Sequence, residues 1–308
     1  MKNPMLSICI PTYNRADVLK ECIDAIVHHK LVETGNIEIV VCDNASTDGT
    51  DAVMKTYQDL EYVKYIQNEK NIGVRYNTLK VVDCATGTFR KLLNDYSIFT
   101  EDGLRYLYEA VISNMKDRPV LLFDAGKDES PTEITCHNID DFVRSIGYRL
   151  TWMGVYGYWE EDWKELTDRE KFTDKTFTTI DWLVQMFKRK RKAIVYQFNY
   201  TTNGVFNRTK RGYKFFKVFI QDYLDIWSVY VENRTISPAL YNWIKKNLWP
   251  FAMGYSKNLL ILRNDSNFDA REGWQILLKY YGKEWYFWWA WIAFPFDVIK
   301  RRINKGSK

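Results

Sequence analysis

The first hundred residues alternate between short apolar runs and stretches with apolar residues three and four positions apart. The runs Leu6–Pro11 and Ile37–Asp43 predict buried strands, and the spacing within residues 16–29 predicts an amphipathic helix. Near-continuous apolar runs are typical of the central strands of parallel sheets. Repeated strand–helix–strand units therefore predict an α/β domain with a mostly parallel, doubly wound sheet.

The middle of the chain is less regular, and its last third changes character. Residues 118–126 predict a further strand, and residues 177–197 predict a helix, a basic break and a strand. Beyond about residue 215 the pattern becomes helical and rich in aromatic side chains, with no linker of Gly, Pro or Ser. We therefore expect an α/β domain over residues 1–215 and a helical region over residues 216–308.

Polar residues follow three of the predicted strands, in the segments "PTYNR" (11–15), "CDNASTDGT" (42–50) and "LLNDYS" (92–97). The carboxyl ends of parallel strands open onto one crevice, so Asp43 and Asp95 are expected in one pocket, with Tyr13 and Arg15 on its rim. Carboxylates can pair with a base or a ribose, an aromatic ring can stack on a base, and arginine or a metal can meet phosphates. This combination predicts a nucleotide-diphosphate ligand, although a single Asp at a strand end is also a common turn residue.

The motifs around these strand ends resemble a known family. The chain contains, in order, "SICIPTYNR", "IEIVVCDNASTDGT", "NEKNIG" and "ATGTFRKLLNDYS". This series, within residues 5–110, resembles the family-two glycosyltransferases of the GT-A fold, and it is similar to members that build O-antigen and capsular polysaccharide. The resemblance implies a donor half over residues 1–110, an acceptor half over residues 111–215, and a nucleotide-sugar pocket formed by Pro11, Thr12, Tyr13, Arg15, Asp43, Arg75 and Asp95.

The same resemblance gives these residues roles, with one departure. It implies that Asp43 contacts the base, that Arg75 lies near the diphosphate, and that Asp95 holds the ribose and any metal-bound diphosphate. The family commonly has three consecutive acids at the last motif, but here Tyr96 and Ser97 follow Asp95. Divalent cations prefer charged oxygen ligands. Either Asp95 holds Mg²⁺ or Mn²⁺ with water and phosphate oxygens, or basic side chains neutralise the diphosphate without metal, or the site is inactive.

Inverting sugar transfer also needs a general base that takes the proton of the attacking hydroxyl. In the family this base is an Asp at the start of a helix that precedes a strand, and "TTIDWLVQMFKRKRKAIVY" has that layout. The resemblance therefore implies Asp181 as the base, with Asp124 and Asp222 as the alternatives. Asp181 can equally be a first-turn acid that complements the helix dipole.

The end of the chain combines aromatic and basic residues. Eight of the twelve residues 285–296 are aromatic, and Lys300, Arg301, Arg302, Lys305 and Lys308 follow Asp297. Twelve residues are too few to span a bilayer, which takes about 20 apolar residues, but aromatic and basic residues together suit its interface. We expect a cytoplasmic protein attached peripherally to an anionic membrane surface; a core-packing terminal helix with a solvated tail is the alternative.

Composition excludes several other classes. The net charge is a modest +5, and no recognised nucleic-acid-binding motif is present, so no nucleic-acid partner is expected. Five widely spaced cysteines give neither a zinc motif nor a disulfide framework, and the N-terminal apolar run is too short for a signal peptide. The glycine-rich, lysine-bearing phosphate loop of nucleotidyltransferases is absent.

The sequence thus predicts a transferase. We expect an inverting glycosyltransferase for a hexose or related sugar, with a UDP-type donor and a polyprenyl-diphosphate-linked saccharide acceptor in surface polysaccharide synthesis. The alternative is a nucleotide-sugar-binding or scaffold protein that has lost catalysis together with its acidic triplet.

Overall fold

A computed structural model describes residues 4–125, 131–204, 214–263 and 268–294 of the 308-residue chain. Its internal contacts divide the chain into two compact units, Met1–Asn207 and Arg208–Lys308. The first unit is mixed α/β and the second is helical. The division lies close to the boundary that the change of pattern near residue 215 predicts.

The first unit contains the strands and seven α-helices. Its described strands are Leu6–Thr12 (β1), Ile37–Asp43 (β2), Val63–Gln67 (β3), Phe89–Leu92 (β4), Ser97–Phe99 (β5), Val120–Ala125 (β6), Thr132–Cys136 (β7), Gly157–Trp159 (β8), Ala193–Phe198 (β9) and Thr201–Asn203 (β10). Its described α-helices are Ala16–Val27 (α1), Thr50–Lys55 (α2), Val74–Asp83 (α3), Gly103–Ser113 (α4), Ile139–Ile146 (α5), Glu160–Glu165 (α6) and Thr178–Lys190 (α7).

The strands form a five-stranded sheet in the order β3-β2-β1-β4-β8, a three-stranded sheet in the order β6-β9-β7, and a small β10-β5 pair. The pairs β1–β2, β1–β4, β2–β3 and β6–β9 are parallel, whereas β8 runs antiparallel to β4. This confirms the predicted α/β class with a mostly parallel sheet.

One bridge fixes the direction of the second sheet relative to the first. Leu122 on β6 pairs antiparallel with Tyr156, directly before β8. Because β8 is itself antiparallel to β4, β6 runs in the same direction as β4, and so does β9. The carboxyl ends of β1, β2, β3, β4, β6 and β9 therefore lie along one edge, where open α/β sheets bind ligands.

Apolar patterning explains why the sheet forms where it does. All seven residues of β1 and all seven of β2 are buried, as expected for central parallel strands covered on both faces. Helix α1 covers the sheet with the face predicted from its three- and four-residue spacing, which consists of Val18, Leu19, Cys22, Ile23 and Ile26.

The second unit is a set of helices around aromatic clusters. Its described α-helices are Tyr223–Glu232 (α8), Pro238–Ser256 (α9) and Gly273–Tyr281 (α10), with π-helical segments at Lys217–Asp222 and Lys257–Leu262 and a last helical stretch over residues 285–294. The ring of Phe215 contacts those of Phe216, Phe219, Phe251, Tyr255 and Phe268. Among the helices that the structure describes, none combines the length and apolar content of a bilayer-crossing segment.

Lys91 on β4 is a basic residue inside the first unit. Its Nζ donates a hydrogen bond to the carbonyl oxygen of Leu92 at 2.8 Å and another to that of Gly154. Burial lowers the pKa of Lys91 to about 7. A neutral amine has two N–H donors, which is the number that the two carbonyl oxygens require. The buried surroundings of Lys91 therefore accommodate its side chain in the uncharged form.

We expect the stability of the protein to rise with pH between about 7 and 8.5 because of Lys91. In this range the unfolded chain, with the ordinary lysine pKa of 10.5, binds a proton that the folded chain has begun to release. Urea unfolding of Lys91→Met should show a flatter pH dependence than the wild type. The exposed Lys116→Met is the matched control; equal slopes for Lys91→Met and the wild type would contradict the assignment.

Candidate active site

The candidate site begins at the carboxyl end of β1. Thr12 is the last residue of β1 and pairs in register with Asp43, the last residue of β2. The Thr12 hydroxyl donates a hydrogen bond of 2.9 Å to Oδ2 of Asp95, which follows β4. Strand register and one side-chain hydrogen bond of Thr12 therefore bring together the three strand ends at which the sequence places its polar motifs.

Asp43 is fully buried, and both of its carboxylate oxygens accept hydrogen bonds. Oδ1 accepts from the amide of Ser46 at 3.0 Å and from its hydroxyl at 2.5 Å, and Oδ2 accepts from the hydroxyl of Tyr65 at 2.8 Å and from Nε2 of Gln67 at 3.4 Å. Burial and the bond to Asp43 together raise the pKa of Tyr65. A carboxylate has about four acceptor sites, so contact with a base would replace one of these bonds, and the bond to Gln67 is the longest.

The loops after β1 and β2 are fastened to each other. Asn14 has a backbone conformation in the left-handed region, with φ 53°. Its backbone N–H donates a hydrogen bond of 2.8 Å to the Ser46 hydroxyl, and its side-chain Oδ1 accepts one of 2.7 Å from the backbone N–H of Thr47. Asp48 accepts the Ala16 amide at 3.1 Å, at the start of α1. This arrangement leaves Tyr13 as an exposed ring, 44% accessible, beside the strand ends.

Asp95 lies between β4 and β5, not within a strand, and its side chain is buried. Nε of Arg15 lies 3.8 Å from Asp95 Oδ2, and the Arg15 guanidinium lies 5.4 Å from the centre of the Tyr96 ring. Burial raises the pKa of Asp95 to about 6, although Arg15 and the Thr12 hydrogen bond lower it. A carboxyl group that titrates near neutral pH at the end of a sheet is a feature of functional sites.

Arg75 lies in the first turn of α3. The preceding loop is held against the end of β2, because Asn44 donates to Oδ1 of Asn71 at 2.8 Å and accepts the Ile72 amide at 2.8 Å. Gly73, with φ 86°, turns the chain into the helix. Nη1 of Arg75 is shielded from solvent and has no hydrogen-bond partner, so this cationic donor is available to an anionic ligand.

Asp181 lies in the first turn of α7 and is buried. Its Oδ2 accepts a hydrogen bond of 2.6 Å from Gln185, and its Oδ1 lies 3.4 Å from Nζ of Lys171. Both neighbours belong to the first unit. The structure therefore places the expected base in a polar, cation-stabilised setting at the start of a helix, as the sequence layout predicts.

The two alternative bases lie in different surroundings. Asp124 is fully buried near the carboxyl end of β6, where Arg149 forms an ion pair with its Oδ2 and Gln197 donates to the same oxygen at 3.3 Å. Its Oδ1 has no hydrogen-bond partner. Asp222 belongs to the helical unit, where Nζ of Lys217 lies 3.0 Å from its Oδ1.

The described residues do not fit a divalent cation held by the protein alone. They contain no group of three or more His, Cys, Asp or Glu side chains suited to a metal. Asp95 offers one carboxylate, of which Oδ2 already accepts from Thr12 and faces Arg15, and Tyr96 and Ser97 add no charged ligand. Mg²⁺ and similar hard cations need several oxygen ligands. The cationic side chain closest to Asp95 among those described is Arg15, with Nε 3.8 Å from Oδ2.

Several residues that were predicted to line a donor pocket lie together at the strand ends, and the pocket itself stays a prediction. Hydrogen bonds or strand pairing join Thr12, Asp43 and Asp95, and Pro11, Tyr13 and Arg15 are their chain neighbours. The residues that bond to these groups but were not predicted from the sequence are Ser46, Asp48, Tyr65, Gln67 and Arg149. Ser46 and Asp48 belong to a motif already identified, whereas Tyr65 and Arg149 carry no local signal, because only strand register and tertiary packing bring them to a carboxylate.

Comparison with known proteins agrees with the sequence and the geometry. The family model described as "Glycosyl transferase family 2" matches residues 7–182. Abequosyltransferase RfbV of Salmonella typhimurium is 33% identical over 106 residues, which cover 33% of this chain and 31% of that protein. A PGL/p-HBAD biosynthesis glycosyltransferase of Mycobacterium tuberculosis is 36% identical over 106 residues, 34% of this chain and 40% of that protein. The chain thus spans less than half the length of these relatives.

Solved structures share the fold at low sequence identity. Staphylococcus aureus TarS 1–349, in complex with UDP-GlcNAc, has a TM-score of 0.60 at 17% identity, with 89% of this chain and 80% of that chain covered. The mannosyltransferase PcManGT from Pyrobaculum calidifontis, in complex with GDP-Man and Mn²⁺, has a TM-score of 0.56 at 17% identity, with 83% and 76% covered. At this identity the likeness concerns the fold.

We expect Asp95→Asn to stabilise the protein increasingly as pH rises. Between about pH 4 and 6 the folded chain keeps a proton on Asp95 that the unfolded chain releases, so this carboxyl group's contribution to stability falls as pH rises. The side-chain amide of the variant cannot ionise, and its oxygen can still accept the hydrogen bond from the Thr12 hydroxyl. Chemical unfolding at several pH values should show that, between pH 4.5 and 7, the free energy of unfolding of the variant rises by about 2 kcal/mol relative to that of the wild type.

The matched control is Asp43→Asn. Its amide nitrogen would face hydrogen-bond donors, so this variant should lose stability across the whole pH range. A pH-independent difference between wild type and Asp95→Asn would show that the Asp95 carboxyl is not the titrating group.

Proposed function

The chain belongs to glycosyl transferase family 2 and has the GT-A fold, and we propose that it transfers one sugar from a nucleotide-diphosphate donor to a saccharide acceptor. The observation that carries this proposal is the convergence of Thr12, Asp43 and Asp95 at one sheet edge. The complexes of TarS with UDP-GlcNAc and of PcManGT with GDP-Man support a nucleotide-sugar donor. We favour a UDP-type donor and a hexose or related sugar.

In this proposal the donor lies along the strand ends. The base occupies the β2 side near Asp43, with the exposed ring of Tyr13 available for stacking. Asp95 meets the ribose, and Pro11 and Thr12 border the nucleotide. Arg15 and Arg75 supply positive charge to the diphosphate, since arginine binds phosphate oxygens through two parallel N–H donors.

The transfer step is a single displacement. The acceptor hydroxyl oxygen attacks the anomeric carbon, its proton passes to the Asp181 carboxylate, and the bond from that carbon to the diphosphate oxygen breaks. The nucleoside diphosphate leaves with the electron pair, and the configuration at the anomeric carbon inverts. Positive charge from Arg15 and Arg75 favours departure of the diphosphate.

The acceptor is proposed to be a polyprenyl-diphosphate-linked saccharide at the cytoplasmic face of the membrane. RfbV and the mycobacterial relative, named for abequosyl transfer and for PGL/p-HBAD biosynthesis, support a role in surface polysaccharide or glycolipid synthesis. The aromatic and basic end of the chain supports a peripheral attachment.

A nucleotide-sugar-binding protein without catalysis is the second candidate. One observation favours it: Tyr96 and Ser97 occupy positions where the family commonly has acids. Both candidate functions include donor binding, so a binding measurement cannot distinguish them. A measurement of sugar transfer can.

Loss of either arginine should weaken diphosphate binding. Calorimetry with UDP, and in parallel with GDP, should show affinity falling about tenfold in Arg15→Gln and in Arg75→Gln, because each loses a charge-assisted hydrogen bond. Affinity for uridine, which has no phosphate, should change little. Arg105→Gln is the matched control, because Arg105 is a half-exposed arginine on α4 that pairs with Asp102 and Glu109.

The same titrations test the cation. Because the described residues hold no metal-ligand cluster, UDP affinity should respond less to Mn²⁺ or to a chelator than to the loss of Arg15. Abolition of UDP binding by the chelator, with both arginine variants behaving as wild type, would refute this assignment of charge.

Replacement of the proposed base should abolish transfer without loss of donor binding. Asp181→Asn removes the proton acceptor but keeps an oxygen for the Gln185 bond, so we expect turnover to fall by 10²–10⁴-fold, roughly the range for general bases, at unchanged UDP affinity. Asp162→Asn is the matched control, a buried acid paired with Arg189 and Lys190. Full turnover in Asp181→Asn would remove Asp181 from the mechanism, and absence of turnover in the wild type over a donor and acceptor panel would favour the non-catalytic candidate.

A further inference from the structure

The last described helical stretch, residues 285–294, shows an apolar face to solvent. Trp285, Trp288, Trp289 and Ile292 are 72%, 51%, 65% and 68% accessible. Their spacing of three, one and three positions places them on one side of the helix. Three exposed tryptophans on a single helical face form a large apolar surface, and such surfaces mark sites of interaction with a membrane or another macromolecule. We call these four residues the tryptophan face.

The other side of this helix is packed against its own unit. Phe287 is buried, and its ring centre lies 5.5 Å from that of Trp249 on α9. Trp291 lies 4.8 Å from Trp274 on α10. Because the helix is anchored by these rings, the tryptophan face is its outward side.

The tryptophan face continues onto α10. Trp274 and Leu278, four residues apart on that helix, are also exposed, and the Trp274 ring contacts the last helical stretch through Trp291. The exposed apolar surface therefore spans two neighbouring helices, which gives it both width and a fixed shape.

The net positive charge of the chain is concentrated in the same segment. Residues 273–308 contain seven Lys or Arg and two Asp or Glu, an excess of five that equals the net charge of the whole chain. Residues 1–272 are therefore neutral overall. Five of the seven basic residues belong to residues 300–308, which lie outside the described residues and follow the tryptophan face in the sequence. Anionic surfaces attract such a segment.

We propose that the tryptophan face is the surface by which this protein docks on an anionic lipid bilayer. Tryptophan prefers the boundary between lipid headgroups and acyl chains, where its ring is in apolar surroundings and its N–H meets polar groups. A second copy of the chain is a poorer occupant, because it would bring the same excess of positive charge to the contact. The inference deepens the proposed function, since it gives the means of attachment to the membrane that holds the proposed acceptor.

Vesicle binding tests this inference without any sugar transfer. The full-length protein should co-sediment with vesicles of phosphatidylcholine and phosphatidylglycerol more strongly than with phosphatidylcholine alone, with a blue shift of tryptophan fluorescence, and added salt should weaken the binding. The double substitution Trp285→Ser with Trp289→Ser should reduce the partition coefficient at least about tenfold, since each removes a large apolar side chain from the membrane. Trp152→Ser, which removes an exposed tryptophan from the first unit, should bind as the wild type.

The outcomes separate this inference from the proposed function. Wild-type binding by the double variant, or failure of the wild type to bind anionic vesicles, overturns the docking surface. A wild-type dimer in light scattering that the double substitution converts to monomer, without vesicle binding, assigns the face to a second copy instead. UDP affinity measured on the same preparations reports on the donor pocket alone, so its loss would count against the proposed function only.

Discussion

The hydrogen bond from Thr12 to Asp95 is the interaction on which the candidate site depends. Parallel pairing already places the end of β1 beside the end of β2, because Thr12 and Asp43 are register partners. The chain after β4 leaves the sheet before Asp95, so strand pairing alone does not fix that carboxyl group. The Thr12 hydroxyl supplies the missing constraint, and it also lowers the cost of burying a carboxylate next to Arg15.

The region around β4 holds two ionisable groups whose burial is unfavourable. Lys91 lies within the strand with its pKa lowered, and Asp95 follows the strand with its pKa raised. The two shifts have one cause, desolvation of the charged form, and opposite signs because one group is basic and the other acidic. Lys91 serves the fold, since its amine satisfies the carbonyl of Gly154, whereas Asp95 faces the ligand edge. Burial alone therefore does not identify a functional group, and it is the position of Asp95 near the strand ends that makes it a candidate.

Much of the fold could be predicted from the sequence, because its central strands and covering helix have clear periodicities. The apolar runs of β1 and β2 and the spacing in α1 specify buried elements directly. The end of β4 at Leu92 could not be predicted, because nothing local distinguishes the last strand residue from the loop after it. Tyr65 could not be assigned for a different reason. Its contact with Asp43 follows from the register of β3 on β2, and register is set by the whole sheet.

The order of strands gives the ligand edge a direction. Along this edge β2 ends at Asp43, β1 ends at Thr12, and β4 leads to Asp95. Strand β8 comes next, followed by β6, which carries Asp124. At about 4.8 Å per strand, these four steps cover about 19 Å, which exceeds what a nucleoside and one phosphate require. If the base is at Asp43 and the ribose at Asp95, the remaining length leads past β8 to the end of β6. In the proposed placement, the transferred sugar and the acceptor would lie on the side where Arg149 pairs with Asp124, so we propose the second sheet as the source of sugar specificity.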